Sequence, residues 1–109
     1  MGTYEITRNR NGLFKWSLKA GNGEVVLASQ MYKSKASAQK GIASTMLNSA
    51  HPDRFERKTA RNNKPFFVLK ALNGQQVGKS QLYESERARD NGIRSVAKNG
   101  PNSTIKDLS

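Results

Sequence analysis

The sequence predicts an α+β fold in which two tandem copies of one β-β-β-α-β unit pair about a pseudo-twofold axis. The chain of 109 residues matches itself without a gap at an offset of 51 residues, from Tyr4 on Phe55 to Asn48 on Asn99. Within each copy, stretches with the two-residue period of a strand come before one stretch with the period of a helix. Because two copies are too few for a solenoid, we expect them to pair with each other.

The duplication is recognised from strings that recur in one register. They are Leu18-Lys19-Ala20-x-Asn22-Gly23 with Leu69-Lys70-Ala71-x-Asn73-Gly74, Ser29-Gln30-x-Tyr32-x-Ser34 with Ser80-Gln81-x-Tyr83-x-Ser85, and Gly41-Ile42-x-Ser44 with Gly92-Ile93-x-Ser95. We therefore interpret residues 1–109 as a single compact domain made of two repeats, 4–54 and 55–107.

Each repeat is predicted to begin with a short strand, at 4–8 and at 55–59, followed by a hairpin. The first arm of the hairpin, at 14–19, alternates apolar and polar residues as a strand with one buried face does. The returning arms are expected at 24–29 and 75–80. The Asn-Gly dipeptide between the arms predicts a type I′ turn, with a longer loop as the alternative.

A helix follows each hairpin, predicted at 35–48 and at 86–99, with Ser34 and Ser85 as the N-caps. Short fourth strands are expected after the helices, the one around Phe55 joining the repeats and the other at 104–106. The helix stripe that covers the sheet comprises Ala88, Gly92, Ile93, Val96 and Ala97 in the second copy and, less completely, Ala38, Gly41, Ile42, Thr45 and Met46 in the first.

Glycine in the middle of a helix costs about 1 kcal/mol relative to alanine. Gly41 and Gly92 therefore predict a close approach of each helix to the sheet. Tyr32 and Tyr83, which precede the caps, are expected to pack over the hairpins.

Three motifs, each present twice, carry a resemblance to a known family. They are Lys-Ala-x-Asn-Gly, Ser-x-x-Tyr-x-Ser and a helix with Asn-Gly-Ile-x-Ser-Val, and the second copy fits them better than the first, which departs at Lys40 and Thr45. On these motifs the chain resembles the YegP-like uncharacterised bacterial proteins over residues 4–107. The resemblance implies that the two units share one antiparallel-rich sheet and exchange their C-terminal strands. It implies no activity, because none is established for the family.

Only 35% of the residues are apolar and none is cysteine, so the core is thin and no disulfide can reinforce it. Pairing of the repeats within the chain is the expected remedy, and we predict a monomer rather than an obligate oligomer. The lack of cysteine fits a reducing compartment, and residues 1–8 hold no apolar run typical of a signal peptide. We therefore predict a cytoplasmic location without membrane association.

The sequence predicts no catalytic, cofactor-binding or metal-binding residue. The one histidine, His51, follows the first helix in a turn, where an exposed side chain is expected, and one histidine with scattered carboxylates does not make a zinc site. Glu5 and Glu56 occupy equivalent positions, and an acid–base pair formed across the axis is the alternative to two solvated side chains. Asp90 is expected to pair with Arg94 one helical turn later.

Charge is the feature that calls for a functional explanation. Lysine and arginine number 19 against 8 acids, for a net charge of +11 and a pI of about 10.4, and both halves share the excess. Such a surface attracts polyanions by counterion release. Strand alternation places several basic residues and one aromatic residue on the face opposite the core. The candidate nucleic-acid contacts are Lys15, Lys19, Phe66 and Lys70.

Two classes of function follow from these observations. The first is a small non-enzymatic domain that interacts with protein or other partners through its sheet or its exposed edges. The alternative is weak, largely sequence-independent nucleic-acid binding through the basic face of the sheet. The residues do not identify the partner, beyond favouring a polyanion over a membrane.

Overall fold

The structure, a computed structural model, describes residues 2–109 and contains one seven-stranded sheet with two helices packed on one face. The elements in chain order are β1 (Thr3–Arg8), β2 (Phe14–Lys19), β3 (Val25–Ala28), α1 (Lys35–Asn48), β4 (Phe55–Thr59), β5 (Pro65–Lys70), β6 (Gln76–Lys79), α2 (Glu86–Asn99) and β7 (Thr104–Asp107). A 3₁₀ turn at Pro52–Arg54 leads from α1 into β4. The predicted α+β class, with one helix per repeat, is confirmed.

The strand order confirms that the repeats pair about a pseudo-twofold axis. The order is β4-β5-β6-β3-β2-β1-β7, so the first three strands of each repeat are related across the boundary between β6 and β3. At that boundary the strands pair only through Ala28 and Lys79, which occupy equivalent positions in the two repeats. Neighbouring strands are antiparallel, except that β7 runs parallel to β1.

The predicted exchange of C-terminal strands is correct for repeat two and wrong for repeat one. β7, at the end of repeat two, pairs with β1 of repeat one, with Tyr4 beside Ile105. In repeat one the equivalent residues, 53–56, run directly into β4, which pairs with β5 of repeat two. One strand therefore ends the first repeat and begins the second, and β7 has no counterpart at the opposite edge.

An ion pair connects the last strand to the other repeat's helix. Lys35 Nζ, at the first residue of α1, lies 2.8 Å from Asp107 Oδ2. This contact and the hydrogen bonds from Ser109 lower the pKa of Asp107 to about 2. β7 is thus held to repeat one by both its backbone and a side chain.

The hairpin loops contain three residues, so the predicted type I′ turn is wrong and the longer alternative is correct. In the first loop, Gly23 N–H donates to Ala20 O and Ala20 N–H donates to Glu24 O, both at 2.9 Å. Gly23 alone has a positive φ there, 85°, whereas a type I′ turn needs two such residues. Asn22 instead accepts the N–H of Glu24 through its carboxamide oxygen at 3.0 Å. The second loop repeats these contacts.

Both helices have the predicted bounds and caps. Ser34 and Ser85 each accept the backbone N–H three residues later at 3.1 Å. The stripe of α2 differs from the prediction at two positions, because Ala97 is exposed and Arg89 is buried. The buried arginine keeps carboxylate partners, since its Nε lies 3.2 Å from Asp90 Oδ1.

The mid-helix glycines mark close contacts, as predicted, and the partner is a tyrosine in each repeat. A Cβ atom at Gly41 would lie 2.5 Å from Tyr32 Oη, and one at Gly92 would lie 2.7 Å from Tyr83 Cζ. Burial raises the pKa of Tyr83. A larger residue at either glycine would displace the ring that joins the helix to the hairpin.

Strand alternation divides the sheet into a covered face and a bare one. The core on the covered face consists of Tyr4, Ile6, Trp16, Leu18, Val26, Leu27, Phe55, Phe67 and Leu69 from the strands and Ala38, Ile42, Ile93 and Val96 from the helices. Neither helix lies on the opposite face, which we call the open face.

Side chains at the pseudo-twofold axis meet their own counterparts. Gly78 is equivalent to Leu27, and a Cβ atom at Gly78 would lie 2.7 Å from Leu27 Cδ2. Gly100 is equivalent to Ser49, and a Cβ atom there would lie 2.7 Å from Ser49 Cβ. In both pairs a larger residue of repeat one occupies the space beside a glycine of repeat two. The two surfaces at the axis are therefore complementary in size rather than identical.

A double-mutant cycle at the axis tests this complementarity. We expect Gly78→Ala to lower the free energy of unfolding by about 1–3 kcal/mol, because the added Cβ overpacks against Leu27. Leu27→Ala should lower it by about 2–5 kcal/mol by leaving a cavity. The double variant should lose less than the sum of the two, since each change compensates the other.

Urea unfolding of the four proteins measures the coupling. Gly21→Ala, at an exposed loop position, is the control and should change the free energy of unfolding by less than about 0.5 kcal/mol. Strictly additive losses in the double variant would contradict size complementarity at the axis.

Candidate nucleic-acid interface

The open face is basic, with six lysines against two glutamates. Directly opposed residues of paired strands have their side chains on the same face of the sheet, so the pairing register assigns each charged residue to a face. The lysines are Lys15 and Lys19 on β2, Lys58 on β4, Lys70 on β5, Lys79 on β6 and Lys106 on β7, and the glutamates are Glu5 on β1 and Glu56 on β4.

Two of these lysines are neutralised by the glutamates. Lys19 Nζ lies 3.0 Å from Glu5 Oε1, and Lys70 Nζ lies 2.5 Å from Glu56 Oε1. The two ion pairs occupy equivalent positions in the repeats. The hydrogen bond from Lys70 lowers the pKa of Glu56, so this glutamate stays ionised in more acidic solution than a free one.

The other four lysines, Lys15, Lys58, Lys79 and Lys106, have no carboxylate within 4.0 Å among residues 2–109. Their charges are therefore available to a ligand. These four lysines, which we call the free lysines, come from both repeats.

An aromatic ring lies among the free lysines of repeat two. Lys79 Nζ is 5.1 Å from the centroid of Phe66, a distance at which the cation is attracted to the ring face. Lys58 is the direct cross-strand neighbour of Phe66. Val68, two residues along the same face, is only 1% exposed although it lies outside the main core, so the surrounding side chains cover it.

The structure brings the four predicted contact residues onto one face but gives them different surroundings. Lys15 is free, and Phe66, which occupies the equivalent position in repeat two, is half-buried beside Lys79. Lys19 and Lys70 belong to the two ion pairs. A direct role of these residues in binding stays a prediction.

Lys58, Lys79 and Lys106 were missed from the sequence. Alternation within 55–59 would have found Lys58, which lies on the same side of its strand as Glu56. The face on which Lys79 lies depends on the strand register, because an irregularity after Leu69 shifts the pairing of β5 with β6. Lys106 can be assigned to the open face only once β7 is known to pair with β1.

The acid–base hypothesis for Glu5 and Glu56 is wrong. Their strands, β1 and β4, are sixth and first in the sheet, which separates them by about 24 Å at about 4.8 Å per strand. The axis passes between β3 and β6, so it places the first strands of the repeats far apart. Each glutamate is paired with a lysine of the neighbouring strand instead.

The remaining titratable candidates lie apart from one another. Asp90 does not pair with Arg94 as predicted, because Arg57 of β4 reaches it across the sheet edge at 2.9 Å. His51 is exposed in the turn after α1, as expected.

Within the part of the chain that the structure describes, no group of three or more His, Cys, Asp or Glu side chains is arranged to hold a metal ion. Neither helix in residues 2–109 has the length and apolar composition needed to cross a bilayer.

Comparison with known protein families gives a match over most of the chain. The family described as "Domain of unknown function (DUF1508)" matches twice, at residues 9–56 and 60–107. The chain belongs to this family. Each matched segment comprises a hairpin and its helix, and the first ends two residues into β4 while the second ends with β7, so β1 lies outside both segments.

Individual relatives confirm the resemblance to the YegP-like proteins. A UPF0339 protein of Acinetobacter baylyi is 53% identical over 107 residues, covering 98% of this chain and 96% of the relative. The UPF0339 protein YegP of Escherichia coli K12 is 48% identical over 106 residues, covering 97% and 96%. The solution NMR structure of a UPF0339 protein from Shewanella oneidensis has a TM-score of 0.92 at 51% identity, covering 98% of this chain and 91% of that one. The names of these relatives assign no ligand and no reaction.

The ion pair of Lys70 and Glu56 predicts a measurable pH dependence. A pKa lowered by folding means that the pair contributes stability above the unfolded pKa of glutamate, and that this contribution is lost as the pH falls through the folded pKa. We expect Lys70→Met to raise the pKa of Glu56 toward its ordinary value, as followed by NMR of the side-chain carboxyl carbon. Lys15→Met, which removes a free lysine, should leave it unchanged. The same pKa in the wild type and in Lys70→Met would contradict this assignment.

Proposed function

We propose that this chain is a small non-enzymatic binding domain whose open face binds polyanions, single-stranded nucleic acid foremost, with little dependence on sequence. The observation that supports the proposal most strongly is the set of four free lysines on a sheet face that neither helix covers. Lysines in this state release phosphate counterions on binding without first losing an internal partner. The net charge of +11 adds long-range attraction for the same ligand.

Phe66 favours single strands over duplexes. An aromatic ring flanked by cations on an open sheet face resembles the platforms on which unpaired bases stack, a contact worth about 1–3 kcal/mol per base. Every base has a stackable face, and lysine offers a point charge rather than the rigid fork with which arginine reads guanine. These features support affinity without sequence readout.

The state of the acidic and imidazole side chains supports a non-enzymatic role. Glu5 and Glu56 are engaged in separate ion pairs. His51 is exposed in the turn that follows α1, away from both glutamates on the open face. A cytoplasmic location remains a prediction from the composition.

Charge reversal on the open face should abolish most of the binding. We expect Lys58→Glu/Lys79→Glu to bind a fluorescein-labelled oligothymidylate at least about 10-fold more weakly than the wild type at about 50 mM salt, measured by fluorescence anisotropy. The matched control is Lys40→Glu/Lys98→Glu, which makes the same change in net charge at exposed positions of the two helices. It should weaken binding by less than about threefold, because screening limits distant charges.

Two results would count against the proposal. The absence of binding by the wild type at about 50 mM salt would remove it, since this salt concentration favours phosphate contacts. Equal losses in the two charge-reversal variants would show that general basicity, and not the open face, attracts the oligonucleotide.

Phe66→Leu separates stacking from charge. We expect this variant to lose about fivefold or more in affinity for the oligothymidylate, which corresponds to one stacked base, with no change in its salt dependence. Affinity for a duplex of the same length should stay within about twofold, because paired bases cannot stack on the ring. Equal losses for both nucleic acids would contradict a stacking role for Phe66.

A further inference from the structure

A groove lies between the end of α1 and the loop that joins β5 to β6. Its volume is about 490 Å³, and its lining includes Ser44, Leu47, His51, Arg54, Ala71 and Leu72. Both repeats contribute to it, since the helix belongs to the first repeat and the loop to the second. None of these residues belongs to the open face, although Arg54 and Leu72 adjoin its ion pair of Glu56 and Lys70.

Two leucines of the groove are much more exposed to water than apolar side chains usually are. Leu47 on α1 is 67% exposed and Leu72 in the loop is 83% exposed, the highest values among the large apolar side chains of residues 2–109. The position equivalent to Leu47 is Lys98 in repeat two, and the position equivalent to Leu72 is Gly21 in repeat one. Because the equivalent helix α2 and the equivalent loop between β2 and β3 form without an apolar side chain at these positions, the fold does not require the leucines.

A positioned cation lies beside the leucines. The guanidinium of Arg54 donates to Asn48 Oδ1, and Asn48 is buried and fixed in turn by donating to Ser44 O at 2.7 Å. Arg54 has no carboxylate within 4.0 Å in the described chain. The equivalent residue of repeat two is Ile105, so the cation, like the leucines, is specific to this groove.

We infer that the groove is a docking site for a peptide segment of a partner protein in which leucine-like side chains stand beside carboxylates. Leu47 and Leu72 cover the apolar side chains of the segment and lose their exposure to water. Arg54, already oriented by Asn48, donates to a carboxylate of the segment. An orientation fixed before binding reduces the entropy lost when the pair forms.

Charge selects this occupant over the alternatives. A second copy of this chain would bring another protein of net charge +11 to a groove that already holds Arg54. A nucleic-acid strand would meet two leucines and one guanidinium instead of a row of cations. An acidic segment is attracted by the whole chain, and its apolar side chains match the exposed leucines.

The test titrates the ¹⁵N-labelled chain with an unlabelled peptide of sequence Glu-Leu-Glu-Leu-Leu-Glu. We expect shifts in the amide signals of residues 47–54 and 71–74, with no shifts on β1, β2 and β7, which lie away from the groove. Peptides with serine in place of each leucine, or lysine in place of each glutamate, should bind at least about 10-fold more weakly, because each lacks one half of the recognition.

Variants of the groove assign the binding to its residues. Leu47→Lys/Leu72→Gly installs the residues of the other repeat, so the fold is expected to persist, and Arg54→Gln removes the charge while keeping a donor for Asn48. Each should weaken peptide binding at least about 10-fold. Leu82→Lys, at an exposed leucine outside the groove, is the control and should stay within about twofold.

Three outcomes would overturn the inference. The first is no shift with the peptide, and the second is unchanged affinity in the groove variants. The third is that octanoate at the same concentration produces the same shifts, which would make the groove a site for free apolar acids. Phe66→Leu should bind the peptide as the wild type does, because Phe66 lies on the open face. The peptide and the oligothymidylate are thus tested on separate surfaces, and a negative result with one ligand leaves the other proposal standing.

Discussion

The sheet depends on the packing of two repeats across a seam that holds almost no backbone hydrogen bonds. β3 and β6 meet at one residue pair, Ala28 with Lys79, whereas β1 and β2 pair over six. Side chains must therefore join the halves, and they do so where Leu27 lies against Gly78 and where each helix packs on strands of the other repeat. Apolar burial has no preferred direction, so the shapes at the axis decide how the halves align.

Both candidate binding surfaces require the two repeats to stay packed together, because each surface combines residues of both. The open face combines free lysines from β2 and β7 on one side with those from β4 and β6 on the other, and the groove lies between a helix of one repeat and a loop of the other. The two surfaces differ in the chemistry they present. Dispersed point charges on an open sheet face suit a flexible polyanion, whereas one oriented guanidinium beside two leucines suits a single amphipathic segment.

Most of the fold could be predicted because the duplication presents each local pattern twice. The cap serines gave the helix bounds, and alternation gave the hairpin arms. What could not be predicted depends on non-local pairing: Asn22-Gly23 is compatible with two turn types, and the register of the arms decides between them. Strand order likewise determines the separation of Glu5 from Glu56 and the face of Lys106. Leu47 and Leu72 are unremarkable in the sequence, because only the fold brings a helix end and a distant loop together.

The unequal sizes at the axis affect how such a chain can change over generations. In a symmetric dimer of identical units, every substitution at the axis appears twice and meets itself, so a leucine would confront a leucine. A covalent tandem removes that restriction, and one copy can enlarge while the other shrinks. At this position two copies of repeat one would overpack leucine against leucine, and two copies of repeat two would leave a gap between glycines. The covalent link between the repeats is therefore what allows residues of unequal size to face each other at the axis.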